Sequence, residues 1–243
     1  MKRQFRNFLK NHPKLSICAL AIVLIAAIVL FIGTNLFDGF LSGSSSHIPE
    51  ATLDNIPAFD GTSAYVIIND NQPFFTEEEI VRESYEKYSK LDGLGRCTVC
   101  MACIGVDLMP TEERESISQV TPSGWVNAKY DGQYVYNRCH LIGFQLTGEN
   151  ANRENLITGT RYLNIEGMLP FENMIADYIK ETGNHVMFRV TPIYEGDNLV
   201  ASGVLMEAWS VEDNGKGVCF NVYAYNVQPG VIIDYATGET RAE

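Results

Sequence analysis

A run of 23 residues without a formal charge, positions 15–37 (LSICALAIVLIAAIVLFIGTNLF), constrains this chain more than any other feature. About 20 consecutive apolar residues suffice for a helix to cross the hydrocarbon core of a bilayer. Five cations (Lys2, Arg3, Arg6, Lys10 and Lys14) precede the run and Asp38 follows it. A basic flank stays on the cytoplasmic side, so residues 1–14 are expected in the cytoplasm and residues 38–243 outside. A cleaved secretory signal is the alternative. Its apolar region is usually about 7–15 residues and ends at an A-x-A-like site, which is not evident here. The expectation is therefore an uncleaved transmembrane signal anchor in the cell membrane; cleavage would give a secreted form.

Residues 38–58 (DGFLSGSSSHIPEATLDNIPA) are rich in Gly, Ser and Pro and read as a flexible tether. The rest, 59–243, is long enough to bury its own core. Of the chain's 18 Lys and Arg, five lie before residue 15, so the remaining 13 face all 30 Asp and Glu. That balance excludes a uniformly basic nucleic-acid coat and requires any polyanion site to be local.

Periodicity and punctuation read as α+β: an antiparallel β-sheet with flanking helices. Short extended runs fall at 64–68, 97–106, 133–137 and 155–158. Thr76 with Glu79 forms a capping-box pattern that predicts a helix to about Lys90. A second helix is expected to run to about Thr182. Its core is 170–181, with Pro170 in the first turn, Gly183 at the stop, and Phe171, Met174, Ile175, Tyr178 and Ile179 on one face. Runs at 185–194, 199–211 and 218–225, separated by GDN and EDNGKG, predict antiparallel strands, with a last one at 231–235.

Of the four histidines, His12 and His47 lie outside the expected domain and His185 has no polar cluster in sequence. His140 ends Tyr136-Asn137-Arg138-Cys139-His140 at a predicted strand end. A polar loop follows, and Asn155, Asn164 and Glu172 come at intervals of nine and eight residues. An imidazole that takes a proton, beside an Arg and carboxamides, suits attack of water on a phosphodiester. Mg²⁺ prefers oxygen ligands and keeps several waters, so one Asn side chain could hold it. By spacing alone, other roles stay open: a structural His, Asn caps at turns and helices, an acid favoured in a first helical turn, and a surface ion pair for Arg138.

Tyr136–His140, followed by Asn155-Leu156-Ile157-Thr158 and Tyr162-Leu163-Asn164, resembles the DNA/RNA non-specific endonucleases, and among them the DNA-entry and secreted nucleases of Gram-positive bacteria. The likeness spans about 59–240 and includes LGRC at 94–97, SGW at 123–125 and NVQPG with IDYATGE near the C-terminus. It implies a ββα-metal (His-metal finger) core. It implies that His140 is the general base, Asn164 the Mg²⁺ ligand (Mn²⁺ also serving), Asn155 a residue placing the His loop or the phosphate, and Glu172 an acid ordering metal-bound water. Arg138 would meet the phosphate, Arg96 resembles an upstream arginine near it, and Arg161 or Lys180 would replace a helix arginine that falls at Ala176. Asn137 and Cys139 stand where the family motif has Asp and Gly.

The resemblance implies a membrane-anchored extracellular endonuclease that hydrolyses DNA, and RNA as well. It would contact the phosphate backbone without sequence specificity and could serve nutrient scavenging, degradation of extracellular DNA or a DNA-uptake machinery. The rival reading is a non-catalytic surface DNA-binding or uptake protein that keeps the fold. Cys97, Cys100 and Cys103 invite a metal reading. Strand geometry, however, places Cys100 opposite Cys97 and Cys103 with no fourth ligand nearby, so buried thiols or one disulfide are expected.

Overall fold

The computed structural model describes residues 56–243. The expected cytoplasmic segment, the membrane anchor at 15–37 and all but the end of the tether lie outside the described residues. Among the described residues, no helix is long and apolar enough to cross a membrane. Ile56 and Phe59 already pack into a hydrophobic cluster, and Tyr225 Oη donates to the Pro57 carbonyl, so the folded body begins slightly before residue 59.

In chain order the elements are β1 (Tyr65–Ile67), β2 (Tyr85–Tyr88), β3 (Cys100–Ile104), β4 (Lys129–Tyr130), β5 (Gln133–Tyr134), β6 (Tyr136–His140) and the four-residue α1 (Phe144–Thr147). They continue with β7 (Leu156–Thr160), a π-helical turn (Leu163–Met168), α2 (Leu169–Thr182), β8 (Val186–Ile193), β9 (Gly203–Ser210), β10 (Cys219–Tyr225), β11 (Val231–Ile233) and β12 (Thr240–Ala242).

Six strands form one antiparallel sheet in the order β1-β10-β9-β8-β3-β2. Its central strands are buried on both faces, which is why they read as nearly continuous apolar runs. Register aligns Cys100, Val190, Met206 and Val222 in one row across four strands. That row faces the main core, against Phe171, Ile175, Ala176 and Ile179 of α2. On the opposite face Cys103 and Met187 join Phe75, Ile80 and Val81, while Leu205 and Tyr223 join Ile56, Phe59 and Phe74. The stretch from residue 56 to 81 thus covers the second face of the sheet.

The remaining pairs are small. β6 and β7 form a two-stranded ladder from Tyr136↔Thr160 to His140↔Leu156. Asn226, fully buried, ties it to the main sheet by donating to the Thr158 and Ala201 carbonyls and accepting from Thr160 N–H. The β6–loop–β7–α2 unit is the expected ββα arrangement. Pro170 sits in the first turn of α2, and Gly183 closes it with φ 71°, as expected.

Three expectations are corrected. The helix predicted from Thr76 to Lys90 is absent. The reciprocal capping bonds do form, with Thr76 N–H on Glu79 Oε2 at 2.9 Å and Glu79 N–H on Thr76 Oγ1 at 3.3 Å. The chain then turns away, because Glu79 also binds Arg189 while Ile80, Val81 and Tyr85 cover the sheet, and Tyr85–Tyr88 pairs with β3 as an edge strand. Tertiary burial outweighs a local start signal. Met174, assigned to the buried face of α2, is 47% exposed, and Ala176 takes the buried stripe instead. Finally, Cys103 does lie opposite Cys100, but Cys97 precedes the strand and packs on the Cys100 side. All five cysteines among the described residues are free thiols.

Candidate active site

A cleft of about 830 Å³ opens where β6 ends, between the β6–β7 ladder, the start of α2 and the loop preceding β4. His140, Asn164, Glu172, Arg138 and Arg114 all line it.

His140 is the last residue of β6 and is only 5% exposed. Its Nε2 lies 2.8 Å from the Asn150 carbonyl oxygen. A carbonyl can only accept, so Nε2 carries the proton and Nδ1 the lone pair. Nδ1 sits 3.4 Å from Arg114 Nη2. Burial and the Arg114 charge lower the imidazole pKa below its usual 6.5, while the bond to Asn150 opposes them. The ring is thus neutral at pH 7, with its basic nitrogen fixed.

Asn155 makes that placement rigid. It is fully buried, donates from Nδ2 to the Ile142 carbonyl and accepts the Ile142 N–H at Oδ1, both at 2.9 Å, while its backbone carbonyl accepts from Leu141. These bonds clamp the turn 141–143 that follows the histidine. Asn155 therefore holds the His loop rather than meeting a phosphate.

Asn164 lies in the π-helical turn that leads into α2. Its Oδ1 accepts from the Cys139 thiol at 3.2 Å. Cys139 is fully buried within β6 and has an ordinary negative φ. A Cβ at Gly159, on the paired strand, would fall 2.5 Å from Cys139 Cβ, so Gly159 makes the room that this thiol fills.

Glu172 is 8% exposed, in the first turn of α2. Its carboxylate packs so tightly on the turn after His140 that a Cβ at Gly143 would come within 2.6 Å of it. Burial pushes its pKa up to about 7, against the Gly143 backbone and Arg114, which both lower it. Arg138 donates from Nε to the Val120 carbonyl and stacks its guanidinium 4.2 Å over the Trp125 ring, leaving its two terminal nitrogens as further donors.

Two expected substrate residues lie elsewhere. Arg96 is bound to Asp92 at 2.7 Å and to the Gly196 and Asn198 carbonyls, over the Tyr194 ring, away from the cleft. It clips two loops together. Arg161 lines a smaller groove that adjoins the cleft at Tyr134. The cleft's additional cation is Arg114, which the sequence reading missed. It lies in the aperiodic stretch PTEERESISQ, 26 residues before His140, and only the folding of that loop over the strand end brings the two together.

Among the described residues, no group of three or more His, Cys, Asp and Glu converges on a metal position. Among the groups lining the cleft are the Asn164 carboxamide oxygen, with one lone pair still available, and the Glu172 carboxylate. That set does not build an all-protein cage; it fits a hard, largely hydrated cation.

A family model described as DNA/RNA non-specific endonuclease matches residues 76–212. Among solved structures, NucA from Streptococcus agalactiae, determined with magnesium ion bound, is 23% identical with a TM-score of 0.68, covering 79% of this chain and 93% of that one. Sda1 nuclease, determined with bound zinc ion, is 25% identical with a TM-score of 0.63, covering 74% and 97%. A structure described as an extracellular endonuclease is 21% identical with a TM-score of 0.54, covering 71% and 90%.

Proposed function

We propose that this chain, which belongs to the DNA/RNA non-specific endonuclease family, is a membrane-anchored extracellular nuclease. It hydrolyses phosphodiester bonds in DNA and RNA with neutral His140 as the general base. The observation that carries the reading is the tethered imidazole: Nε2 is held by Asn150, and Nδ1 lines the same cleft as Asn164 and two arginines.

His140 Nδ1 takes a proton from water as the water oxygen bonds to phosphorus. The bond from phosphorus to the 3′ oxygen breaks, leaving a 5′-phosphate, and the departing oxygen is protonated from solvent. Arg138 and Arg114 offer donors to the phosphate oxygens, where charge accumulates in the transition state. Glu172 accepts hydrogen bonds from water in the cleft, and Asn155 keeps the base in place through the 141–143 turn. Asn164, with water and phosphate oxygens, would hold a divalent cation such as Mg²⁺, which supplies charge neutralisation at the phosphate and the leaving group. Contacts to the backbone carry no base identity, so cleavage is sequence-tolerant and salt-sensitive.

Purified full-length chain is expected to open circular plasmid and degrade RNA in Mg²⁺ and to do neither in EDTA. Intact plasmid in Mg²⁺ would remove the catalytic reading. The anchor rests on residues 1–37, and fractionation of cells expressing the chain should place it in the membrane with its C-terminal domain open to external protease.

A further inference from the structure

The cleft does not end at the catalytic cluster. Its wall beyond Trp125 is Tyr134, and the same ring lines a second groove of about 200 Å³ with Tyr130, Gln133, Arg161 and Gln228. Tyr134 belongs to the β4–β5 hairpin, whose turn residues Asp131 (φ 48°) and Gly132 (φ 75°) have the two positive φ angles of a tight two-residue hairpin turn. All four strand residues of this hairpin are exposed, so it contributes nothing to the core.

It is nonetheless held firmly. Val135 N–H bonds the Ala128 carbonyl, Arg161 N–H bonds the Val135 carbonyl, and Tyr130 packs its hydroxyl on Gly230. Lys129 pairs with Tyr134 in the ladder and places Nζ 4.5 Å over its ring, which is 52% exposed. Arg161 makes no ion pair among the described residues, and the acid lining this groove is Asp131 at its tip. A fixed, exposed aromatic ring flanked by two cations, contiguous with a phosphodiester cleft, is the makeup of a single-strand stacking platform.

We propose that the β4–β5 hairpin receives an unpaired nucleotide flanking the scissile phosphate. Its base stacks on Tyr134, and the neighbouring phosphates meet Lys129 and Arg161. The inference rests on the nuclease reading and refines it: the chain favours substrates with an unpaired segment on that side of the cut. Bases within a duplex have their faces covered by neighbours and cannot use the ring.

The test is fluorescence anisotropy in EDTA, where nothing is cut. The full-length chain is titrated with mixed-sequence single strands of about 4 and about 16 nucleotides and with a blunt duplex. Tyr134→Ala should weaken the long single strand about tenfold, with clearly smaller losses on the short strand and the duplex, while Tyr134→Phe keeps wild-type affinity. Arg161→Ala should lower the salt slope on the long strand by about 0.7. Equal losses on all three probes, or no loss from either alanine variant, would overturn the proposal. If such a chain still cuts plasmid, the nuclease reading survives alone; a wild-type chain that binds no oligonucleotide and also leaves plasmid intact in Mg²⁺ removes both.

Discussion

Two buried polar clusters sit on opposite faces of this molecule, and they treat charge in opposite ways. Behind the sheet, Arg189 of β8 is 1% exposed and fully partnered. Nε and Nη2 bind the two oxygens of Glu207, which is 0% exposed, and Nη1 reaches Glu79. Glu207 also accepts the Phe74 N–H, so the cluster fastens the chain that covers that face. In the cleft, His140 and Glu172 are almost as buried, yet neither has an opposite charge within ion-pair distance among the described residues. Arg114 and Arg138 keep donors to spare. A buried network whose charged groups are all partnered does structural work. One whose titratable groups are displaced from their ordinary pKa and open to a cleft is poised for chemistry.

That contrast can be broken most forcefully on the structural side. Arg189→Met leaves Glu207 buried without a counter-charge and should cost about 3–5 kcal/mol of stability, read by urea or thermal unfolding. Cleavage per folded molecule should stay at the wild-type level, and a variant that is stable but inactive would blur the distinction. Next, Arg114→Ala should cut kcat by about 10²–10³ with little loss of stability, measured on plasmid at saturating substrate. An unchanged kcat would make Arg114 a bystander.

Glu172 sharpens the comparison through pH. Its folded pKa of about 7 stands above the ordinary 4.5 of an unfolded glutamate, so the folded state binds the proton more tightly. This contribution to stability is full below about 4.5 and is lost as pH rises to about 7. In EDTA at pH 8, Glu172→Gln should therefore be more stable than wild type, by on the order of 1–3 kcal/mol. Equal stability there would show that the carboxylate is better solvated than its surroundings imply. The smallest effect lies in the pH–rate profile. The acid limb of kcat/KM should have its midpoint below 6.5, because burial and Arg114 lower the pKa of His140. Arg114→Gln removes a positive neighbour and should move that midpoint upward, by less than about one unit.

The parts legible in the sequence are those set by local pattern. The three long strands after α2 follow continuous apolar runs cut by turn residues, and α2 follows its cap, its stripe and Gly183. His140, Asn155, Asn164 and Glu172 lie within 33 consecutive residues along one ββα unit, so their order along the chain places them together. What escaped depends on contacts between distant segments. The capping box at Thr76 is real, yet Glu79 is drawn to Arg189, 110 residues away, and the expected helix gives way to a strap. Arg96 is expected near the phosphate from the family resemblance alone, but Asp92, four residues back, holds it. Arg114 carries no local signal and reaches the site only through the fold of its loop. Cys139 looked like an intrusion at a glycine position; Gly159 across the ladder supplies the space it needs.

The proposed cleavage depends on one imidazole nitrogen left basic by a backbone tether. Single-turnover plasmid cleavage at pH 7 in Mg²⁺, comparing wild type with His140→Ala, tests it most directly when circular dichroism is recorded on the same samples. A loss of about 10²–10⁴-fold in rate with an unchanged fold is the expected result. Wild-type cleavage by the folded variant would contradict it.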